Sequence, residues 1–165
     1  MKSLLATALL LATGSLSAFA VDAPAEPIKI TDTEAVIIEK TIRGYVEVRK
    51  DKIELFDRKK GKTVSVRLDK IITTDPDCVK FPKPGFVAIC CDCTEVLTDG
   101  EETKDGDKYV IWFLVERGSL PTASVADTFI KSVNGQQMYE WTQGADGLWA
   151  ATLVPDAMPT EPVVP

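Results

Sequence analysis

The sequence predicts an all-β fold, which is either a small antiparallel barrel or a sandwich, with an added C-terminal β-meander. Short apolar runs recur between turn-forming residues, and several of them alternate apolar and polar side chains with the period of two that a half-buried strand shows. Helix signals are few, and there is no internal repeat. The chain of 165 residues is long enough for one domain with its own hydrophobic core.

A long hairpin over residues 84–117 is the central predicted element. Its first strand, residues 85–97, carries three of the four cysteines, and its second strand, residues 109–116, is apolar on both faces. Successive side chains on a strand point to opposite faces, so one face of the first strand holds Val87, Ile89, Cys91 and Cys93. The other face holds Asp92, which is costly to bury without a partner, so we expect the Val87 face to lie against the core. Residues 99–107 are predicted to form a loose acidic tip.

The first half of the chain is predicted to be a meander. Residues 45–49, 53–56 and 64–68 alternate apolar and polar side chains and are separated by turn residues. Residues 33–42 are ambiguous, because a helix capped by Thr33 and a strand are both compatible with them. Their β-branched residues favour a strand, which we predict to bend into the next one at Gly44.

The connection and the C-terminal part complete the prediction. Residues 75–84 contain three prolines and are expected to be irregular. Residues 122–133 fit either a helix or a strand that leads into Asn134-Gly135, a strong signal for a two-residue hairpin. We predict the hairpin, with a return strand over residues 136–141. Residues 148–154 then pair back and bring Trp141 near Trp149.

The N-terminal end of the chain indicates export. Lys2, an apolar run over residues 4–16 and the small-residue site before Val21 predict a signal peptide over residues 1–20, cleaved after Ala20. The apolar run is too short to span a membrane, and no later stretch is long and apolar enough. We therefore expect a secreted or periplasmic protein. Its parts are a flexible leader (residues 21–32), a single all-β domain (residues 33–154) and a proline-rich disordered tail (residues 155–165).

The order of the segments TIRGYVEV, IELFDRKKGKTVSVRL, GFVAICCDCTEV and KYVIWFLVE resembles that of small secreted bacterial OB-type β-barrel proteins. The resemblance covers residues 41–116. It implies a bent first strand with a glycine at Gly44, then a hairpin and two strands that close an OB-like barrel. The chain departs from that family because it lacks a helix between the third and fourth strands and adds a meander over residues 128–154. The resemblance assigns no binding residue, because such barrels host many different ligands.

The cysteines are the candidate site residues: Cys78, Cys90, Cys91 and Cys93. An even number of cysteines in an exported chain favours disulfides. Cys90 and Cys91 point to opposite faces, and Cys91 and Cys93 are awkwardly spaced for a bond along an extended strand. We expect a bridge from Cys78 to a strand cysteine, with Cys90 as the first choice and Cys93 as the second. Closing this loop would stabilise the fold by roughly 3 kcal/mol.

A thiolate metal site is the alternative use of the same residues. Cys91 and Cys93 present two sulfurs on one face, and Cys78 could add a third, a set that suits Cu(I) or Zn²⁺. The sequence contains no histidine, and the spacing matches no common zinc pattern, so this alternative is less favoured. A redox-active pair is weaker still, because the two-residue spacer of thioredoxin-like motifs is missing.

Other function classes have little support in the sequence. Without histidine, a serine or cysteine nucleophile lacks its usual base. Residues 40–83 hold 13 basic and 7 acidic side chains, but they lack the interleaved aromatic pattern of a single-strand nucleic-acid platform. The acids of the hairpin tip lack the spacing of a calcium loop. We therefore expect a non-enzymatic binding or structural module without a cofactor, whose ligand is a protein or a small molecule that the sequence does not identify.

Overall fold

A seven-stranded antiparallel sheet and one helix form the main body of the protein. The computed structural model describes residues 29–118 and 122–155. Helix α1 (Asp32–Glu47) comes first. The strands that follow are β1 Ile53–Asp57, β2 Lys62–Ile72, β3 Val79–Lys80, β4 Phe86–Asp99, β5 Glu102–Glu116, β6 Ser124–Val133, β7 Gln136–Gln137, β8 Tyr139–Gln143 and β9 Trp149–Leu153.

The sheet order confirms the predicted all-β class. Strands pair in the order β1-β2-β4-β5-β6-β7, with β3 beside β4, and a separate two-stranded sheet joins β8 and β9. Within the described residues the sheet does not close into a barrel. Strand β4 therefore lies at the middle of the sheet, paired with β2, β3 and β5.

The central hairpin is confirmed and is longer than predicted. Pairing of β4 with β5 runs from Phe86 opposite Glu116 to Asp99 opposite Glu102, with a register shift between Thr94 and Val96. The predicted loose tip over residues 99–107 is wrong, because most of these residues belong to β5. The turn itself is short, and Gly100 adopts the positive φ (62°) that it requires.

Helix α1 is the largest difference from the sequence prediction. The predicted strands over residues 33–42 and 45–49 are wrong, and Gly44 lies inside the helix instead of at a bend. Thr31 and Glu34 form a capping box, in which the side chain of each accepts a hydrogen bond from the other's backbone N–H. Buried positions four residues apart then fix one face of the helix against the sheet, namely Ile38, Ile42 and Val46.

The C-terminal hairpins are confirmed with two corrections. Asn134 and Gly135, both at positive φ, link β6 to β7 as predicted. The predicted return strand over residues 136–141 is divided, because β8 leaves the main sheet to pair with β9. Trp141 and Trp149 are not direct partners: Trp141 lies opposite Ala151, and its ring packs against Trp112.

Two apolar clusters lie on opposite faces of the β4–β5 hairpin. The larger contains the buried face of α1 and the residues Val87, Ile89, Cys91 and Cys93, so the predicted orientation of this face is confirmed. The other face, predicted to lie nearer water, is also covered. Cys78, Ala88, Cys90 and Trp112 form a smaller buried cluster there, while Asp92 is partly exposed.

The described residues form no helix with the length and apolarity that crossing a bilayer demands. The predicted signal peptide lies outside the described residues, as do the leader up to residue 28 and the tail from residue 156.

Candidate functional site: a buried thiol pair beside a lysine

The connection between β2 and β3 positions Cys78. Residues Pro76–Cys78 form a single 3-10 turn, in which the Asp75 side chain accepts a hydrogen bond from the Asp77 N–H at 2.9 Å. Strand β3 then pairs antiparallel with β4, with Val79 opposite Ile89. This register places the residue before β3, Cys78, beside the residue after Ile89, Cys90.

The two thiols meet inside the smaller cluster. The sulfur atoms of Cys78 and Cys90 lie 2.8 Å apart and are not bonded, since a disulfide bond measures about 2.05 Å. Cys90 is fully buried and Cys78 is 6% exposed. The structure therefore brings together the first-choice pair of the sequence prediction.

Lys131 of β6 completes the site. Its Nζ atom lies 3.4 Å from the Cys90 Sγ and 3.8 Å from the Cys78 Sγ. The same Nζ lies 5.1 Å from the centre of the Trp112 ring, within range of a cation–π interaction. We call these four residues the thiol–lysine cluster: Cys78, Cys90, Trp112 and Lys131.

Aromatic packing connects the thiol–lysine cluster to the second sheet. The rings of Trp112 and Trp141 meet edge to face with centroids 5.3 Å apart, and Phe129 lies 6.1 Å from Trp141. The indole N–H groups of Trp112 and Trp141 are buried without a hydrogen-bond partner. The contact between β8 and the main sheet is thus mainly apolar and aromatic.

The surroundings of Cys90 keep its thiol protonated at neutral pH. Burial raises the pKa of the Cys90 thiol well above its ordinary value, and the hydrogen bond with Cys78 raises it further, while Lys131 opposes the shift. Burial works against the charge of Lys131, but the neighbouring sulfurs outweigh it and raise the pKa of the ammonium group. Protonated, buried thiols are weak nucleophiles and weak metal ligands.

Cys91 and Cys93 lie on the opposite face of β4, in the larger cluster, and both are almost fully buried. Burial raises the pKa of Cys93 to about 12, and that of Cys91 higher still. The structure does not assemble Cys78 with these two residues, so neither the three-thiolate alternative nor the second-choice pair of Cys78 with Cys93 is brought together. No group of three or more histidine, cysteine or acidic side chains suited to a metal occurs in the described ranges.

The acids predicted at the hairpin tip do not gather at one point. Asp105 pairs with Arg67 at 3.2 Å and Asp107 with Lys60 at 2.7 Å. The ammonium group of Lys60 also contacts the buried carboxylate of Glu95 at 2.6 Å. These acids are partners of structural ion pairs.

Two features of the structure escaped sequence reasoning. The Tyr109 hydroxyl donates a 2.7 Å hydrogen bond to Asp57, a fully buried carboxylate that the sequence places in an ordinary turn. Lys131 is the extra residue at a register shift, because Ile130 pairs with Ile111 and Ser132 pairs with Val110. A bulge of this kind re-aims a side chain, and no alternation pattern in the sequence reveals it.

Comparison with known proteins adds no assignment. No protein-family model, no curated protein and no solved structure matches the chain. The function must therefore be argued from the chemistry of the described residues.

Proposed function

We propose that this chain is an exported, non-enzymatic binding or structural module whose fold is stapled by a disulfide between Cys78 and Cys90. One observation carries the proposal: the two sulfur atoms lie 2.8 Å apart inside a buried cluster that joins the 3-10 turn to the central strand. Only a small closing movement of the two side chains separates this arrangement from bonding distance.

Export supports this use of the thiols, because oxidising compartments are where disulfides form and persist. The features of residues 1–20 that predict a signal peptide are the basis for export. The absence of histidine from the whole chain, together with the raised pKa of the buried Cys90 thiol, supports a non-enzymatic role.

Formation of the Cys78–Cys90 bond requires an oxidant, and an external disulfide can serve as one. The thiolate of one cysteine attacks a low-molecular-weight or protein disulfide, which releases one thiol and leaves a mixed disulfide. The second cysteine then attacks that mixed bond, forms the Cys78–Cys90 bond and releases the second thiol. The two cysteines lose two electrons and two protons, and the oxidant gains them. The ammonium group of Lys131 stabilises the thiolate formed in the course of the reaction.

Metal binding by the thiols is the weaker candidate. Two sulfurs are available at the site, but Lys131 places a positive charge within 4 Å of both, where it would repel a metal cation. The additional sulfurs of Cys91 and Cys93 lie on the other face of β4.

Counting thiols tests the proposal. We expect the exported protein, purified without reductant and denatured, to show two free thiols by reagent titration, and four after reduction. Peptide mapping should show Cys78 linked to Cys90, and the mature chain should begin at Val21. Four free thiols before reduction would contradict the staple, and stoichiometric copper or zinc that is lost in Cys78→Ala would establish the metal candidate instead.

A further inference from the structure

We propose that a pocket between β1 and β6 binds a small aromatic carboxylic acid. This inference deepens the proposed function, because it names a ligand class for the binding role. The pocket has a volume of about 200 Å³. Six of its eight lining residues are apolar or aromatic, and the other two are Thr128 and Arg58; the six are Leu55, Phe56, Phe129, Ile130, Met138 and Tyr139.

Sheet topology explains why a pocket exists at this place. Strand β1 is an edge strand that pairs only with β2, and β6 pairs with β7 only at Ser132 and Val133. The two strands come near each other without forming a ladder, so a gap lined by side chains is left between them. The rings of Phe129 and Tyr139 meet edge to face at 5.3 Å and make one wall aromatic.

Phe56 supports an apolar ligand. This side chain is 61% exposed, and it is one of four large apolar side chains that the described residues leave exposed. It lies at the pocket, where a planar ring could cover it. An exposed aromatic side chain beside a preformed apolar pocket is typical of a binding site.

Arg58 supports a carboxylate on that ligand. Its neighbours in the same turn are engaged: Lys59 donates a hydrogen bond to Gln136, and Lys60 pairs with Glu95 and Asp107. Arg58 is exposed and forms no ion pair or hydrogen bond with any residue in the described ranges. A free guanidinium group beside an apolar pocket suits a carboxylate, which it binds through two parallel hydrogen bonds.

The volume limits the ligand to a single ring. An apolar protein cavity of about 150 Å³ holds benzene, so about 200 Å³ accepts one ring with a short acidic arm. Drug-sized ligands occupy pockets of about 300–1,000 Å³ and would not fit. Phenylacetate is therefore a suitable probe, and 2-phenylethanol is its uncharged match.

The test is a titration of the oxidised full chain with phenylacetate, in which binding is monitored through the chemical shifts of the backbone amides. We expect shifts at β1, β6 and Tyr139 with a dissociation constant on the order of 1 mM. Because Arg58 is exposed, Arg58→Gln should weaken binding about fivefold. Phe56→Ala should weaken it about threefold. Lys70→Gln, which removes an exposed charge on β2 outside the pocket lining, should leave binding unchanged.

Three results would overturn the assignment: no shifts at the pocket up to about ten times the expected dissociation constant, equal binding of 2-phenylethanol, or equal weakening by Arg58→Gln and Lys70→Gln. The variants change exposed side chains, and their folded state is checked by thermal unfolding. Failure to bind with the Cys78–Cys90 bond present overturns the ligand class alone. If the protein binds phenylacetate while Cys78 and Cys90 are free thiols, only the proposed disulfide is overturned.

Discussion

The two faces of the β4–β5 hairpin bury similar residues in different ways. On one face, Cys91 and Cys93 lie in a large cluster closed by helix α1, where they act as small apolar side chains. On the other face, Cys90 lies in a small cluster with a second thiol, a lysine and a tryptophan. Cys90 and Cys91 are neighbours in sequence, so the alternation of the strand alone assigns them to different environments.

Fewer buried contacts hold the β8–β9 sheet over the smaller cluster than hold helix α1 over the larger one. Helix α1 is fixed over the large cluster by buried side chains from three successive turns. The β8–β9 sheet covers the small cluster chiefly through Trp141, with a few backbone hydrogen bonds such as Trp149 N–H to the Phe81 carbonyl at 3.1 Å. The Cys78–Cys90 link would add a covalent contact to this face, between the 3-10 turn and β4.

The strongest test of this comparison uses two adjacent residues of β5. Trp112 and Phe113 are both fully buried, one in each cluster. Truncating either to alanine should lower the free energy of unfolding by about 3–5 kcal/mol, as measured by denaturant unfolding. The pattern of amide exchange should differ. In Trp112→Ala, amides of β8 and β9 should exchange before global unfolding while those of α1 stay protected.

Phe113→Ala is the matched control, because it weakens the face that α1 covers. There we expect the protection of α1 to fall at least as much as that of β8 and β9. Equal loss of protection in α1 and in the second sheet in both variants would show that the two faces unfold as one unit.

The cysteines provide the second test. In the oxidised protein, Cys90→Ala should lower the free energy of unfolding by about 3 kcal/mol, because the closed loop between residues 78 and 90 is lost. Cys91→Ala should lower it by about 1 kcal/mol, the value of one buried apolar group. Adding reductant should lower the free energy of unfolding of the wild type to near that of Cys90→Ala. The loss of stability caused by Cys91→Ala should be the same with and without reductant. If reductant does not change the free energy of unfolding of the wild type, the proposal that only one face carries a disulfide is contradicted.

The hairpins could be predicted because their signals are local. Alternation in β4 and the Asn134-Gly135 pair specify pairing between neighbouring segments, and the structure follows both. The helix was missed because β-branched residues outweighed other signals. The Thr31-x-x-Glu34 capping box was present in the sequence, and so was the spacing of four between buried positions. Packing against the sheet then overrides the strand propensity of these residues.

The site was predictable in part for the same reason. The face assignment of Cys90 and the placement of Cys78 in the preceding connection indicated the pair, and the structure brings the two sulfurs together. Lys131 could not be foreseen, because its position depends on a bulge between two strands whose register the sequence does not specify. The buried Asp57–Tyr109 hydrogen bond likewise joins residues far apart in the chain.

The capping box that the strand prediction overlooked leads to the test with the smallest expected effect. Glu34 accepts a 2.8 Å hydrogen bond from the Thr31 N–H and pairs with Arg117 at 3.1 Å. The hydrogen bond from Thr31 is the main cause that lowers the pKa of the Glu34 carboxyl, and Arg117 lowers it further. Glu34→Gln should therefore reduce the free energy of unfolding at pH 7 by about 1 kcal/mol.

The sign of the pH dependence separates this contribution from a general effect of charge. Since the carboxyl has a lower pKa in the folded chain, its contribution is complete above its unfolded value of about 4.3 and is lost as pH falls through the folded value. The difference between wild type and Glu34→Gln, measured by urea unfolding from pH 7 down to pH 3, should therefore shrink below about pH 4. Glu54→Gln removes the same charge from an exposed position on β1 and should change stability little at any pH. If the difference in the free energy of unfolding between wild type and Glu34→Gln is constant down to pH 3, the ionised carboxylate does not stabilise the start of the helix.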